Sequence, residues 1–197
     1  AKKCMRTFLL KEAANEFNEA IKLYENLNDL KEQAALLNDL EYSYWYTGDS
    51  VLIDNHLRRM ISFARKDLEN EAKAQILAAL GSYYRKSGKL DSSLRYYVRA
   101  TRAIEGERNQ ELLPQILNDY AILLTVSGNT DLAAEKYLES ISIQEQNPTS
   151  ELLTTKLNLM VLLVDNNYYA EALELVSEID SLNKVYPRPS NIARLLQ

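Results

Sequence analysis

Leu77-Ala78-Ala79-Leu80-Gly81-Ser82-Tyr83-Tyr84-Arg85-Lys86-Ser87-Gly88 stands near the middle of the chain, and counterparts of it stand 40 residues away on either side. Upstream is Leu37-Asn38-Asp39-Leu40; downstream are Leu117-Asn118-Asp119-Tyr120 and Leu157-Asn158-Leu159-Met160. The leading leucines thus fall at 37, 77, 117 and 157, and each run is followed by a break at a matching offset: Gly48, Gly88, Gly128 and Asn166-Asn167. A period of this length marks a stacked-repeat architecture.

Within a unit the apolar residues return at three- and four-residue steps, the helical period. Ile116, Leu117, Tyr120, Ala121 and Leu124 form one stripe, and Leu132, Ala133, Tyr137 and Ile141 form the next. Gly128 lies between them, where a helix end favours a residue tolerant of positive φ. Asp131, and Asp91 in the preceding unit, are expected to cap the second helices. Each unit is therefore two antiparallel amphipathic helices that can bury their stripes only by stacking.

Leu80-Gly81, Tyr84, Gly88, Tyr97 and Ala100 together resemble the tetratricopeptide (TPR) signature. Tyr169-Ala170-Glu171-Ala172 is similar to the start of its second helix, as is the trio Ala13, Phe17 and Ala20. Glu41 departs from it, standing where a small residue is expected, and Ile53 and Met60 stand where alanines are. The 40-residue period exceeds the family's usual length and resembles the lengthened repeats of kinesin light chains and of bacterial regulatory TPR proteins. The resemblance implies an all-α fold, an α-solenoid of about four and a half antiparallel helix-turn-helix repeats. The expected division is a partial repeat over 1–29, repeats over 30–68, 69–108, 109–148 and 149–186, and the start of a further helix over 187–197. In the first piece, Ala1 to Thr7 reads as the tail of one helix and Phe8 to Leu27 as its partner. Neither end shows a polar cap, so a segment of a longer protein is expected, with self-association through uncapped ends as one of its options.

Composition narrows the function. The 197 residues are 46% hydrophobic and 26% charged, enough for a core and a solvated surface. A net charge of -5 and scattered Lys and Arg argue against nucleic acid, whose binding needs a concentrated basic face. No run approaches the roughly 18 apolar residues of a membrane span. Cys4 is alone, which fits the cytoplasm but also an extracytoplasmic protein whose signal has been removed. His56 is the single histidine and reads as a partly exposed surface residue. One His and one Cys cannot assemble a zinc site, and no glycine cluster cradles phosphate, so no metal, cofactor or catalytic centre is expected.

In TPR arrays the first helices of the units line the concave side, where a peptide or partner protein is held. Carried onto this chain, that face holds Asn38, Tyr42 and Trp45, then Ser82 and Arg85, then Asn118, Asp119 and Ile122, then Asn158. Asn38, Asn118 and Asn158 share one repeat position and can pair a peptide backbone through donor and acceptor alike. They can equally bond a neighbouring helix across the repeat junction. Tyr42 and Trp45 are candidate exposed anchors, or else cover a loop or a neighbouring domain. Leu159 and Leu162 form an apolar fourth groove suited to self-assembly. The function expected is a protein-interaction scaffold, the TPR segment of a larger regulatory or sensory bacterial protein. The alternatives are a self-assembly module and a small-ligand sensor built on the aromatic cluster.

Overall fold

The computed structural model describes residues 2–106 and 112–186; of residues 2–10 and Tyr42 it describes the backbone alone. Among the described residues every regular element is a helix. Two compact units result, one over 1–108 and one over 109–197.

The first unit contains α1 (Lys2–Leu27), α2 (Leu30–Thr47), α3 (Ser50–Phe63), α4 (Asn70–Lys86) and α5 (Leu90–Ile104). Helix α1 packs on α2, α2 on α3 and α4, and α4 on α5. The second unit contains α6 (Leu112–Val126), α7 (Thr130–Gln144), α8 (Ser150–Asp165) and α9 (Tyr169–Val185), with α6 against α7 and α8, and α8 against α7 and α9.

The breaks read from the sequence are left-handed turns. Gly48, Gly88 and Gly128 have φ of 71°, 74° and 77°, and in the fourth copy Asn167 takes φ of 65°. Asparagine is the residue that best tolerates this region after glycine, which explains the substitution. Only two or three residues separate the helices at these turns, whereas five or six separate α3 from α4 and α7 from α8. The period therefore draws its extra length from helices of 14 to 18 residues and from the wider connections.

Leu37, Leu77 and Leu117 are buried in the core, while Leu157 is half-buried. Gly81 is buried against Tyr97: a Cβ there would stand 3.0 Å from the ring. The close approach also lets Ser93 Oγ donate to the Gly81 carbonyl at 2.7 Å, tying α5 to α4.

Several local expectations need correction. Helix α1 runs unbroken through Thr7 and Phe8, because Ala1–Leu27 contains no glycine or proline to end a first helix. Asp91 and Asp131 are not caps, since α5 and α7 begin one residue earlier. They lie in the first turn, where a carboxylate favours the helix dipole instead. The capping aspartates are Asp29 and Asp49, whose side chains accept from Glu32 N–H and from Val51 and Leu52 N–H. The expected helix start over 187–197 and the environment of Cys4 lie outside what is described.

His56 is the largest surprise. It is 4% exposed, not a surface residue, and its Nε2 lies 3.0 Å from the Leu37 carbonyl. Its ring meets Tyr44 edge-on, Tyr44 Oη accepts from Asn18, and Asn18 in turn accepts from Arg59. This chain of contacts binds α1, α2 and α3. Burial is the main cause that lowers the His56 pKa to about 4, with Arg59 adding to it against the Leu37 hydrogen bond, so the ring is neutral at pH 7.

Candidate interaction surface

In the first unit the sequence-derived face falls on α2 and α4. Asn38, Ser82 and Arg85 are half-buried, and the Tyr42 side chain lies outside the description. Trp45 is not a free anchor. It packs on the core, meets the Tyr83 ring edge-on at 6.0 Å and carries the Lys86 ammonium 5.9 Å above its face. Tyr83 meets Tyr84, and Tyr84 stacks on Tyr96, so the aromatics close on one another. They gather because Trp45 and Tyr83 occupy facing positions of α2 and α4, where large rings fill the space between two first helices.

Beside them lies the residue that broke the repeat pattern. Glu41 is 5% exposed and receives Lys86 Nζ at 2.8 Å. Burial pushes its carboxyl above the usual range, an effect that Lys86 opposes. One Glu41 oxygen and the Arg85 Nε are buried without a hydrogen-bond partner.

In the second unit Asn118, Asp119, Ile122 and Asn158 are all half-buried on α6 and α8. Asn158 Nδ2 donates to Asn118 Oδ1 at 3.0 Å, so these two amides bond across the repeat junction. The pair still offers Asn118 Nδ2 as donor and Asn158 Oδ1 as acceptor. Leu159 and Leu162, expected to form an apolar groove, are 3% and 2% exposed and belong to the core. They lie on the side of α8 that faces its neighbours in the stack.

Two adjoining hollows lie in this unit, and Asn118 lines one of them. One of about 370 Å³ is lined by residues of α6, the end of α7 and the α7–α8 connection, including Gln115, Gln144 and Asn147. The other, of about 310 Å³, brings together Gln115, Asn118, Asp119, Gln144, Glu151 and Thr155. Sequence reasoning passed over Gln144 because it confined the face to the first helices, and Gln144 ends the second helix α7. The signal for Gln144 was available: it follows Ile141 by three on the α7 packing stripe, where an apolar residue would be ordinary.

Lys156 is a further buried charge, with a side chain 6% exposed that bonds Glu145 and Glu178. Desolvation pulls its pKa down, but the two carboxylates together raise it, so it stays charged and clamps α7, α8 and α9. Among the described residues no group of three or more His, Cys, Asp or Glu is placed to hold a metal ion. No helix among them is long and apolar enough to cross a membrane.

No protein-family model matches the chain, and no curated protein matches its sequence. Solved structures do match its fold. BtubC (BKLC) from P. vanneervenii superposes with a TM-score of 0.70 at 15% identity, covering 92% of this chain and 78% of that one. A Podosopora anserina kinesin light chain protein with nearly identical TPR-like repeats gives 0.61 at 16% identity, over 95% and 97% of the two chains. A single-substitution form of that protein gives 0.62 at 16% identity, over 92% and 94%. At such identity the likeness is one of fold: an all-helical, TPR-like repeat of the kinesin light chain kind. That fold is generally a protein–protein interaction module and is typically non-catalytic.

Proposed function

We propose that this chain is a protein-interaction scaffold that holds a peptide or partner protein against the exposed faces of its first helices. In this reading it is the regulatory or sensory segment of a larger bacterial protein. The observation that carries the reading is the second unit's polar surface, where Asn118, bonded to Asn158, lines a hollow together with Asp119. Amides half-buried on a rigid helical frame can pair a peptide backbone without reorganising, which lowers the entropy cost of binding. The self-closed stack of Trp45, Tyr83, Tyr84 and Tyr96 weighs against a small-ligand pocket among those aromatics.

The test is affinity capture with the chain and with its Asn38→Ala, Asn118→Ala, Asn158→Ala triple variant, followed by titration of the purified partner. The triple variant must first show an unchanged helical spectrum. Partner binding weakened about tenfold or more in the triple variant supports the reading, since each lost amide pair is worth about 1 kcal/mol. Undiminished binding moves the site elsewhere and refutes this face.

A second reading is self-assembly. Tyr169, Leu173 and Val176 form an exposed stripe on α9, with Leu173 70% exposed. Their spacing of four and three residues places them on one helix face. Sedimentation at increasing concentration decides: a mass that stays monomeric into the high micromolar range removes this alternative.

A further inference from the structure

The last residue of α7, Gln144, has its side-chain amide held from beneath. Ser140 Oγ donates to the Pro114 carbonyl at 2.8 Å, and Thr155 Oγ1 donates to the Glu151 carbonyl at 3.1 Å. Each hydroxyl has one proton and has given it away, so both oxygens act as acceptors toward a further neighbour. That neighbour is Gln144 Nε2, at 2.9 Å from Ser140 and 3.1 Å from Thr155. Turning the amide over would set its oxygen against two oxygens with no proton left to give. Gln144 is 7% exposed, and its Oε1 is buried without a hydrogen-bond partner. The amide is therefore an acceptor of fixed direction that lacks a donor, which is costly until one arrives.

Gln144 lines both hollows of the second unit, so Oε1 is the end of its amide left to an occupant of either. Gln115 also lines both, and Asn118 lines the second. Gln115 is exposed and can turn an amide N–H inward, while Asn118 keeps Nδ2 to donate after its oxygen receives Asn158. The cleft thus sets one buried acceptor below two amide donors nearer the surface. Its volumes, about 370 and 310 Å³, are at the lower end of those that hold ligands.

An occupant that answers every group must give a proton to Gln144 and take one from Gln115 or Asn118. An ammonium or guanidinium brings donors but no acceptor, and a carboxylate brings acceptors but no donor. A hydroxyl must serve both from one atom. A carboxamide carries N–H and C=O on separate atoms and meets both needs. A backbone peptide group has the same chemistry, but its flanking residues hold it across the mouth, whereas a side chain reaches a buried atom. We propose that this cleft is a subsite for the side-chain carboxamide of a glutamine or asparagine in the bound segment, which donates to Gln144 Oε1 and accepts from Gln115 or Asn118. The inference rests on the reading of this surface as the partner-binding one and names the chemistry it selects. A site whose buried polar atom is paired by the right group and stranded by the wrong one discriminates strongly.

The probe is N-acetylglutamine methylamide, titrated into the whole chain and followed by NMR at the Gln144 side-chain carbonyl carbon. Three relatives of the probe serve as controls. The γ-methyl ester of the glutamate analogue keeps the carbonyl and loses the N–H donors without adding charge. The arginine analogue has donors alone, and the alanine analogue keeps the backbone and loses the carboxamide. A saturable shift at Gln144 is expected with the glutamine probe, and affinity about tenfold weaker or worse with each control. A Gln115→Ala, Asn118→Ala double variant should lose a similar factor, and an unchanged helical spectrum establishes that it folds. Equal affinity for the glutamine probe and any control, or indifference to the double variant, overturns the carboxamide subsite. So does the absence of any shift at Gln144, which would leave the cleft to water alone. Partner capture that still depends on the three asparagines would then show that only the subsite had failed. A glutamine probe that binds as expected while capture is undiminished in the triple variant retains the carboxamide site and removes the partner reading of this face.

Discussion

At the scale of the residue, the legible positions were those whose backbone or volume admits few side chains. Gly81 was readable as a small position because it matches the TPR signature, with Ala121 its equivalent one period on, and the Tyr97 ring is what it makes room for. Gly81→Leu should destabilise by about 1–3 kcal/mol through overpacking, measured by chemical denaturation. His56 was unreadable for the opposite reason. A lone polar residue gives no periodic signal, and the acceptor that buries it, the Leu37 carbonyl, is backbone common to every sequence. The fold holds this ring neutral, with a pKa near 4 against 6.5 unfolded. As pH falls through 6.5 the unfolded chain takes up a proton that the folded chain refuses until about 4. Stability from this source is therefore full above 6.5 and declines across that window, by about 3 kcal/mol at most. Comparing the pH dependence of unfolding for the chain and for His56→Gln isolates the effect. An identical slope in both would mean that the ring is solvated.

At the scale of the element, periodicity located the helices and glycine located their ends, while caps and charge pairs were misread or missed. Aspartate before an apolar run is the usual sign of a cap, and Asp91 and Asp131 carry that sign. The left-handed turn, however, shortens the connection and starts each helix sooner. Pairs such as Glu41–Lys86 join helices 45 residues apart, and nothing local in sequence marks them. They are unequal partners, Glu41 at 5% side-chain exposure and Lys86 at 17%. Lys86→Ala strands a buried carboxylate and should cost about 3 kcal/mol at pH 7, whereas Glu41→Ala leaves an ammonium that can turn to water and should cost less. Acidification to pH 5 should narrow the difference, because burial already favours the protonated Glu41. Denaturation of both variants at the two pH values checks the order. Equal costs at pH 7 would mean that water reaches Glu41.

At the scale of the whole molecule, the stacked-repeat architecture was legible because every unit repeats the same burial problem. The cleft at Gln144 was not, because its floor comes from a second helix and two serine- or threonine-to-backbone bonds that only three dimensions bring together. In stacked arrays each helix pair is held chiefly by its neighbours, so damage should stay local. Leu37→Ala and Leu117→Ala should each cost about 2–5 kcal/mol. Hydrogen exchange should quicken in α1–α4 for the first and in α6–α8 for the second, and uniform quickening in both would contradict the local picture. Look-alike modules also carry a hazard during folding, since a helix can dock on a copy of its proper neighbour. Position 41 counters it: the equivalents at 81 and 121 are glycine and alanine, and the equivalents of Lys86 at 126 and 166 are valine and asparagine. Helix α2 laid against α6 or α8 would bury a carboxylate facing no cation. Shape alone would let the chain skip a module, and one ion pair makes the skipped register chemically wrong.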